Sequence, residues 1–167
     1  MKISVIGCGY LGAVHAASMA ELGHEVIGID VDSSRIESLQ AGVAPFHEPG
    51  IDALLQKNSS RLTFTTEMAR VADASVHFIA VGTPQSADGS ADMAYVNSAL
   101  EGLIPYLSPG DLVVGKSTVP VGTAERLAAT VAPTGAIVMW NPEFLREGFA
   151  VEDTLSPDRL VYGVPEG

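Results

Sequence analysis

The sequence predicts an α/β fold, a doubly wound and mainly parallel sheet with helices on both faces. Short apolar runs rich in β-branched residues alternate with segments of helical periodicity along the 167 residues, and this alternation is typical of parallel sheets. The runs are apolar at consecutive positions, as expected for strands that are buried on both faces. A glycine-rich turn joins the first run to the first helical segment.

The strands are predicted at residues 3–7, 25–30, 62–66, 75–84, 111–117, 136–142 and 159–164. The first helix is expected to end with Gly23 at its C′ position, and Ser33 or Ser34 is expected to cap the second. Another helix is expected from about Ile51, and further helices at residues 68–73, 93–107 and 123–132. Residues 85–93 are small and polar, which predicts a loop.

Composition restricts the classes of function. The chain carries 9 Lys and Arg against 20 Asp and Glu, a formal net charge of −11, which disfavours nucleic acid and anionic membrane surfaces as partners. The single cysteine excludes an intrachain disulfide. No signal-peptide pattern is visible, and no apolar run approaches the ~20 residues that span a bilayer. We therefore expect a cytoplasmic protein.

The turn GCGYLG at residues 7–12 has the spacing of a dinucleotide-binding loop. Gly7 would permit the tight turn, Gly9 the approach of a pyrophosphate, and Gly12 close packing of helix on strand. Unpaired N–H groups at the helix N-terminus would then face the phosphates. Asp30 ends the next strand, where a carboxylate binds the adenosine ribose and favours NAD over NADP. The alternative is a plain strand–turn–helix with a surface aspartate, but this context favours a Rossmann-type site for NAD.

Two residues near this loop have less specific interpretations. Cys8 lies beside the expected cofactor, but any modest side chain fits the middle of the turn, so a redox role is disfavoured. Arg35 follows Asp30 by five positions and either reaches the ribose or a phosphate, or is a solvated helix residue.

Two further strand ends carry small and hydroxyl-bearing residues. Gly82 and Thr83 follow a central strand, and Ser117 and Thr118 follow the next one. Ligands of doubly wound sheets bind outside the carboxyl ends of the strands, so these residues are expected to face the cofactor. The alternative is that they only terminate strands and cap helices.

The late segment NPEFLREG, residues 141–148, predicts a helix of about two turns. Asn141 is a suitable N-cap, Pro142 suits the first position, and Gly148 would end it. Glu143 and Glu147 would then share one helix face. Two carboxylates at a strand end are able to perform acid–base chemistry, whereas the alternative for Glu143 is interaction with the helix dipole.

Metal-ligating residue types show no shared spacing. We expect no metal site, and a structural role by default for the four histidines, His15, His24, His47 and His77.

Six segments in order, IGCGYLG, GIDVDSSRI, HEPGI, VGTP, KSTVPVGT and NPEFLREG, resemble the NAD-binding domain of the UDP-glucose/GDP-mannose dehydrogenase family. The resemblance runs through almost the whole chain. It implies oxidation of the C6 alcohol of a sugar nucleotide to a carboxylate with two NAD per turnover. In that chemistry a cysteine thiolate adds to the aldehyde formed first, and water hydrolyses the resulting thioester.

The resemblance also implies residue roles. The cofactor-binding residues would be Gly7, Gly9, Tyr10, Leu11, Gly12, Asp30, Arg35, Gly82, Thr83, Thr118 and Glu147. The residues bordering the sugar nucleotide would be Glu143, Phe144, Leu145 and Arg146. The catalytic residues would be Thr118 and Glu143, which hold or activate water, and Glu147 near the nicotinamide.

The sequence departs from the family in one respect. The nucleophilic cysteine motif, the lysine and asparagine of a central helix, that helix itself and the second domain have no counterpart in residues 1–167. The chain is therefore expected to be a truncated NAD-binding Rossmann domain that binds NAD without catalysis, and the full-length protein is expected to be a homodimer.

The sugar nucleotide is left open by the sequence. UDP-glucose is favoured, and the alternatives are GDP-mannose and UDP-N-acetylhexosamines. Two other classes remain, a stand-alone NAD-binding sensor or scaffold and another Rossmann dehydrogenase such as a 3-hydroxyacid dehydrogenase. The second of these offers no reason for NPEFLREG after KSTVPVGT.

Overall fold

A computed structural model describes residues 1–164 and contains one six-stranded, fully parallel sheet in this range. The strands are β1 (Lys2–Ile6), β2 (Glu25–Ile29), β3 (Leu62–Thr65), β4 (Val76–Ile79), β5 (Leu112–Gly115) and β6 (Ile137–Trp140). Their spatial order is β3-β2-β1-β4-β5-β6. The order reverses between β1 and β4, and such a reversal opens a crevice for ligands at the carboxyl ends of the strands.

Helices cover both faces of the sheet. They are α1 (Tyr10–Glu21), α2 (Ser33–Gln40), α3 (Ile51–Lys57), α4 (Ala94–Leu103), α5 (Thr123–Val131) and α6 (Ala150–Leu155). Short 3₁₀ helices occupy Met68–Asp73, Ile104–Tyr106 and Ala132–Thr134. None of the described helices is long and apolar enough to cross a bilayer.

The core consists of two apolar clusters, one on each face. Val5 belongs to the cluster that includes residues of α1, α2, α3 and α6, whereas the adjacent Ile6 belongs to the cluster that includes residues of α4 and α5. This alternation follows from the period of two in strand side chains. The predicted doubly wound α/β fold is confirmed.

Helix ends agree with the sequence prediction in one place and differ in another. Gly23 follows α1 with a φ of +95°, and the N–H of His24 donates to the carbonyl of Met19 at 3.1 Å, as in a glycine-terminated helix. The cap of α2 is Asp32, because its carboxylate accepts the N–H groups of residues 34 and 35. The prediction of a serine cap was wrong by one or two positions.

The predicted strand at residues 159–164 is absent from the described chain. Gly163 and Trp140 instead form an isolated antiparallel bridge with two backbone hydrogen bonds of 2.9 and 2.8 Å. The helix predicted from Asn141 to Gly148 is also absent, and residues 141–146 have no regular structure. Both side-chain groups of Asn141 are occupied by tertiary contacts, since Oδ1 accepts from Lys116 and Nδ2 donates to the carbonyl of Val161. A cap at Asn141 is therefore not made, and this prediction was wrong.

Two of the four histidines are buried in the core. His77 in β4 is fully buried, and its Nδ1 lies 2.8 Å from the hydroxyl of Ser4. His15 in α1 is 5% exposed and packs edge-on against Phe78. Neither ring nitrogen of His15 has a hydrogen-bond partner among the described residues. Burial, and secondarily the Lys116 ammonium, lowers the pKa of His15 from 6.5 to about 3.

Stability is expected to fall as the pH falls below 6.5, because the unfolded chain binds a proton at His15 that the folded chain excludes. From pH 7 to pH 5 this term lowers the free energy of unfolding by about 2 kcal/mol. Urea denaturation of the His15→Leu variant should therefore show a smaller decrease over that interval than the wild type. The exposed His47 offers the control, since His47→Gln should keep the wild-type decrease. Equal decreases in wild type and His15→Leu would contradict the assignment.

Candidate functional site

The candidate site lies at the carboxyl end of the sheet, beside the point where the strand order reverses. β1 leads into the glycine loop, β2 leads into Asp30, and β4 to β6 lead into the three later segments singled out by sequence. Because all strands are parallel, their carboxyl ends meet at the same edge. The topology therefore brings together residues that are more than 100 positions apart.

The glycine loop has little space for side chains at two of its three glycines. Gly7 has a φ of +90°, and a Cβ there would lie 2.7 Å from a methyl group of Val81. A Cβ on Gly12 would lie 1.8 Å from the carbonyl oxygen of Gly7. A Cβ on Gly9 would meet no atom within 4 Å. The space above Gly9 is thus open to a ligand, whereas Gly7 and Gly12 are required by the packing of the loop itself.

The N-terminus of α1 offers unpaired donors at this opening. Gly9 is its N-cap, no side chain of the described residues caps the helix, and its first turn contains no acidic residue. Free N–H groups and the partial positive charge of a helix N-terminus favour a phosphate. These features fit the pyrophosphate of a dinucleotide, and the local donors act against the overall negative charge of −11.

Asp30 is held in place by backbone and side-chain donors. It is 7% exposed, and it accepts the N–H of Cys8 at 2.7 Å and that of Asp32 at 3.0 Å. Nη1 of Arg35 lies 2.9 Å from both carboxylate oxygens. Arg35 is therefore paired with Asp30 and is not a freely solvated helix residue, while its predicted contact with the ribose or a phosphate stays a prediction.

Cys8 is fully buried beneath the loop. Its Sγ lies 3.5 Å from the carbonyl oxygen of Ile29. Burial, followed by the charge of Asp30, raises the pKa of the Cys8 thiol well above its ordinary value. The Cys8 thiol is consequently neither accessible nor ionised at neutral pH.

The ends of β4 and β5 are joined by their polar residues. The hydroxyl of Thr83 donates to the carbonyl of Thr118 at 2.9 Å. The hydroxyl of Ser117 donates to the carbonyl of Val81 at 2.6 Å. Gly82 and Thr118 are exposed residues. The Thr83 hydroxyl fixes the relative position of the two strand ends through its bond to the Thr118 carbonyl.

An ion pair with the buried Lys116 fixes Glu143 at the end of β6. Lys116 is 6% exposed, and its Nζ lies 3.0 Å from Oε2 of Glu143 and 2.9 Å from Oδ1 of Asn141. Oε1 of Glu143 accepts the N–H groups of Phe144 and Leu145 at 2.8 and 3.0 Å. Sequence analysis did not single out Lys116, since a lysine at the end of a strand carries no local signal of its partner.

The remaining residues of this loop are arranged differently from the predicted helix. Glu147 is exposed, and the expectation that it shares a helix face with Glu143 is wrong because that helix does not form. Arg146 forms a bidentate pair with Asp153, in which Nε lies 3.0 Å from Oδ2 and Nη2 lies 2.6 Å from Oδ1. Its guanidinium lies over the ring of Phe149. Phe144 is 58% exposed, whereas Leu145 packs against the core.

Glu48 was also missed by sequence analysis as a site residue. It is 4% exposed and accepts the hydroxyl of Tyr10 at 2.5 Å and the N–H groups of Gly148 and Ala150 at 2.8 Å each. Burial by itself raises the pKa of Glu48, but these hydrogen bonds outweigh it and hold the pKa below its ordinary value. The only sequence signal was an acidic residue between His47 and Pro49, which does not indicate a partner.

Metal-ligating side chains are not clustered at this site. Within residues 1–164 no group of three or more His, Cys, Asp or Glu side chains is placed to hold a metal ion.

The fold, the glycine loop and Asp30 define a dinucleotide-binding domain of the Rossmann class. The chain belongs to the UDP-glucose/GDP-mannose dehydrogenase family, since residues 1–167 match its NAD binding domain. Its cofactor is accordingly NAD. The predicted family resemblance is confirmed.

Several relatives have similar sequences and structures. UDP-glucose 6-dehydrogenase of Pseudomonas aeruginosa is 46% identical over 99% of this chain and 39% of that protein. A UDP-glucose dehydrogenase structure from Pyrobaculum islandicum gives a TM-score of 0.92 at 45% identity, over 99% of this chain and 41% of that chain. A ternary complex of GDP-mannose dehydrogenase from Pseudomonas aeruginosa gives 0.93 at 37% identity, over 99% and 41%. The chain thus spans about two fifths of the length of these relatives.

Proposed function

We propose that this chain is the cofactor domain of a nucleotide-sugar 6-dehydrogenase. The whole protein would oxidise the C6 alcohol of a sugar nucleotide, with UDP-glucose favoured over GDP-mannose, to a carboxylate with two NAD per turnover. The supporting observation is that the glycine loop, Asp30, the Thr83–Thr118 contact and the Lys116–Glu143 pair all lie at one edge of the sheet. The greater identity to UDP-glucose 6-dehydrogenase than to GDP-mannose dehydrogenase supports the choice of sugar.

In this proposal the cofactor follows the carboxyl edge of the sheet. The pyrophosphate lies over Gly9 and the N-terminus of α1, and Asp30 accepts the hydroxyl groups of the adenosine ribose. Arg35 holds the Asp30 carboxylate for that contact. Tyr10, Leu11 and Gly82 border the cofactor, and Thr83, Thr118 and Glu147 lie on its nicotinamide side. Bound NAD supplies the hydride acceptor.

Glu143 is proposed as the general base for water in the hydrolytic half-reaction. The Lys116 ammonium and two backbone N–H groups fix its carboxylate in one orientation, and each carboxylate oxygen can accept more than one hydrogen bond. Thr118, an exposed residue, would hold the water with its hydroxyl. Phe144, Leu145 and Arg146 would border the sugar nucleotide.

The nucleophile of the thioester pathway is proposed to come from another part of the longer protein. Cys8 is the single cysteine in the sequence, and it is fully buried with a raised thiol pKa. A thiol acts as a nucleophile only as an accessible thiolate. We therefore propose that residues 1–167 bind NAD without turnover, and that a central helix and a sugar-nucleotide domain complete a homodimeric enzyme.

Isothermal calorimetry of the 167-residue chain tests the cofactor site. NAD is expected to bind roughly 10- to 100-fold more tightly than NADP, because a 2′-phosphate would lose the Asp30 contact and meet its charge. Asp30→Ala should remove most of this preference.

A matched control separates the Asp30 contact from net charge. Glu37 is exposed on α2, the helix that also carries Arg35, and Glu37→Gln removes one negative charge without changing Asp30. This variant should keep the wild-type preference for NAD. Equal affinity of the wild type for NAD and NADP would refute the role of Asp30.

A further inference from the structure

Glu48 connects two parts of the site that no backbone hydrogen bond of residues 1–164 joins directly. It lies in the segment between α2 and α3, and its two oxygens contact different partners. Oε2 accepts the hydroxyl of Tyr10 and the N–H of Gly148, at 2.5 and 2.8 Å. Oε1 accepts the N–H groups of Ala150 and Val151, at 2.8 and 3.4 Å. Tyr10 is the first residue of α1, and residues 148–151 follow the segment that carries Glu143 and Glu147.

We propose that Glu48 is a positioning residue that ties the segment of residues 143–151 to the first turn of α1. This inference rests on the proposed function, since it takes the N-terminus of α1 as the pyrophosphate site. A dinucleotide that immobilises Tyr10 also immobilises Glu48, and through Glu48 the backbone of residues 148–151. Cofactor binding then restricts the loop that bears the proposed base.

The environment of Glu48 favours this role over simple stabilisation of a surface loop. Glu48 is 4% exposed, and every one of its contacts is a donor, so both carboxylate oxygens act only as acceptors. The N–H of Gly148 is shared with the Tyr10 hydroxyl, at 3.3 Å. Burial, followed by the hydrogen bond to Glu48, raises the pKa of Tyr10 to about 12, so its hydroxyl remains a donor throughout the neutral range.

Two variants break this link in different ways. Glu48→Gln keeps the shape but replaces one oxygen by an NH₂ group, so that either Tyr10 and Gly148 or Ala150 and Val151 face a donor. Tyr10→Phe removes only the hydroxyl and keeps the ring, whose contact with Phe46 has a centroid distance of 5.0 Å. Asp52→Asn is the matched control, because Asp52 also accepts a backbone N–H, that of Ala44 at 2.8 Å, near the same segment.

Hydrogen–deuterium exchange of the 167-residue chain, with and without NAD, tests the proposal. Without NAD, Glu48→Gln should speed exchange at residues 147–151 about tenfold, the effect of losing a hydrogen bond to a charged acceptor. In the wild type and Asp52→Asn, NAD should slow exchange both at residues 7–12 and at residues 148–151, whose backbone Glu48 contacts. In Glu48→Gln and Tyr10→Phe, NAD should slow exchange at residues 7–12 but not at residues 148–151.

The possible outcomes separate this proposal from the proposed function. Undiminished protection of residues 148–151 by NAD in both variants would overturn the role of Glu48, while leaving the cofactor site in place. Absence of any NAD effect at residues 7–12 in the wild type would overturn the proposed cofactor site and the coupling with it. Ligand-free exchange gives a further check. If residues 147–151 exchange in Glu48→Gln at the wild-type rate, the proposed link between this segment and the first turn of α1 through Glu48 would be overturned as well.

Discussion

A Gly12→Ala variant is expected to lose more than about 3 kcal/mol of unfolding free energy, at the upper end of the cost of overpacking. The added Cβ would lie 1.8 Å from the carbonyl oxygen of Gly7. That oxygen is part of the backbone and cannot rotate away. Gly7 is itself fixed, because its N–H donates to the carbonyl of Ile29 at 2.8 Å and its α-carbon faces Val81. Urea denaturation followed by circular dichroism measures the loss.

Gly9→Ala is the control that separates the packing of the loop from cofactor binding. A Cβ on Gly9 meets no atom within 4 Å, and its φ of −65° suits alanine. The variant should stay within about 1 kcal/mol of wild-type stability, the usual cost of alanine at a helix N-cap. NAD affinity should nevertheless fall, since the methyl group occupies the space proposed for the pyrophosphate. Wild-type stability in Gly12→Ala, or wild-type NAD affinity in Gly9→Ala, would contradict the respective role.

Glu143→Gln in the full-length protein is expected to lower turnover by about 10²- to 10⁴-fold, the usual contribution of a general base. The amide cannot take a proton from water, so the thioester intermediate of the proposed pathway should accumulate. Rapid quenching followed by mass spectrometry of the intact protein would detect this covalent adduct. Turnover at the wild-type rate would exclude Glu143 from the hydrolytic step.

Stability must be measured alongside turnover in this variant. Both oxygens of Glu143 accept hydrogen bonds, and Lys116 is buried beside it, so the amide leaves one donor without an acceptor. Glu152→Gln provides a matched control, because Glu152 is an exposed acid in the first turn of α6. That variant should keep wild-type turnover. A thermal shift confined to Glu143→Gln, with the adduct absent, would assign Glu143 a structural role only.

The features predicted correctly from sequence are those with a local cause. Strands buried on both faces leave consecutive apolar residues, and Gly23 ends α1 because a positive φ is needed there. Asp32, Ser33 and Ser34 are all residue types that cap helices well, so the sequence alone does not identify which of them caps α2. Because α2 begins at Ser33, Asp32 is the cap, and the predicted cap was wrong by only one or two positions.

The larger errors arose where a tertiary contact overrides a local preference. Asn141, Pro142 and Gly148 form a convincing helix pattern, but the side chain of Asn141 is bound by Lys116 and by the carbonyl of Val161. The partner residues of Lys116 and Glu48 likewise lie far along the chain. Lys116 contacts Asn141 across 25 positions, and Glu48 contacts Gly148 across 100. The periodicity of apolar residues in a strand or helix extends over only a few positions, so it does not predict contacts between residues this far apart in sequence.

The sequence by itself determined the doubly wound fold, the glycine loop, the aspartate at the end of β2 and the family resemblance. Each depends on residue spacing within one strand–turn–helix unit or on the order of such units. The tertiary structure alone decided that Glu143 is held by Lys116, that Glu147 lies apart on an exposed loop, and that Glu48 joins α1 to residues 148–151. The physical reason is that a parallel sheet brings the ends of distant strands to one edge, where buried charges must find partners that the chain supplies from remote positions.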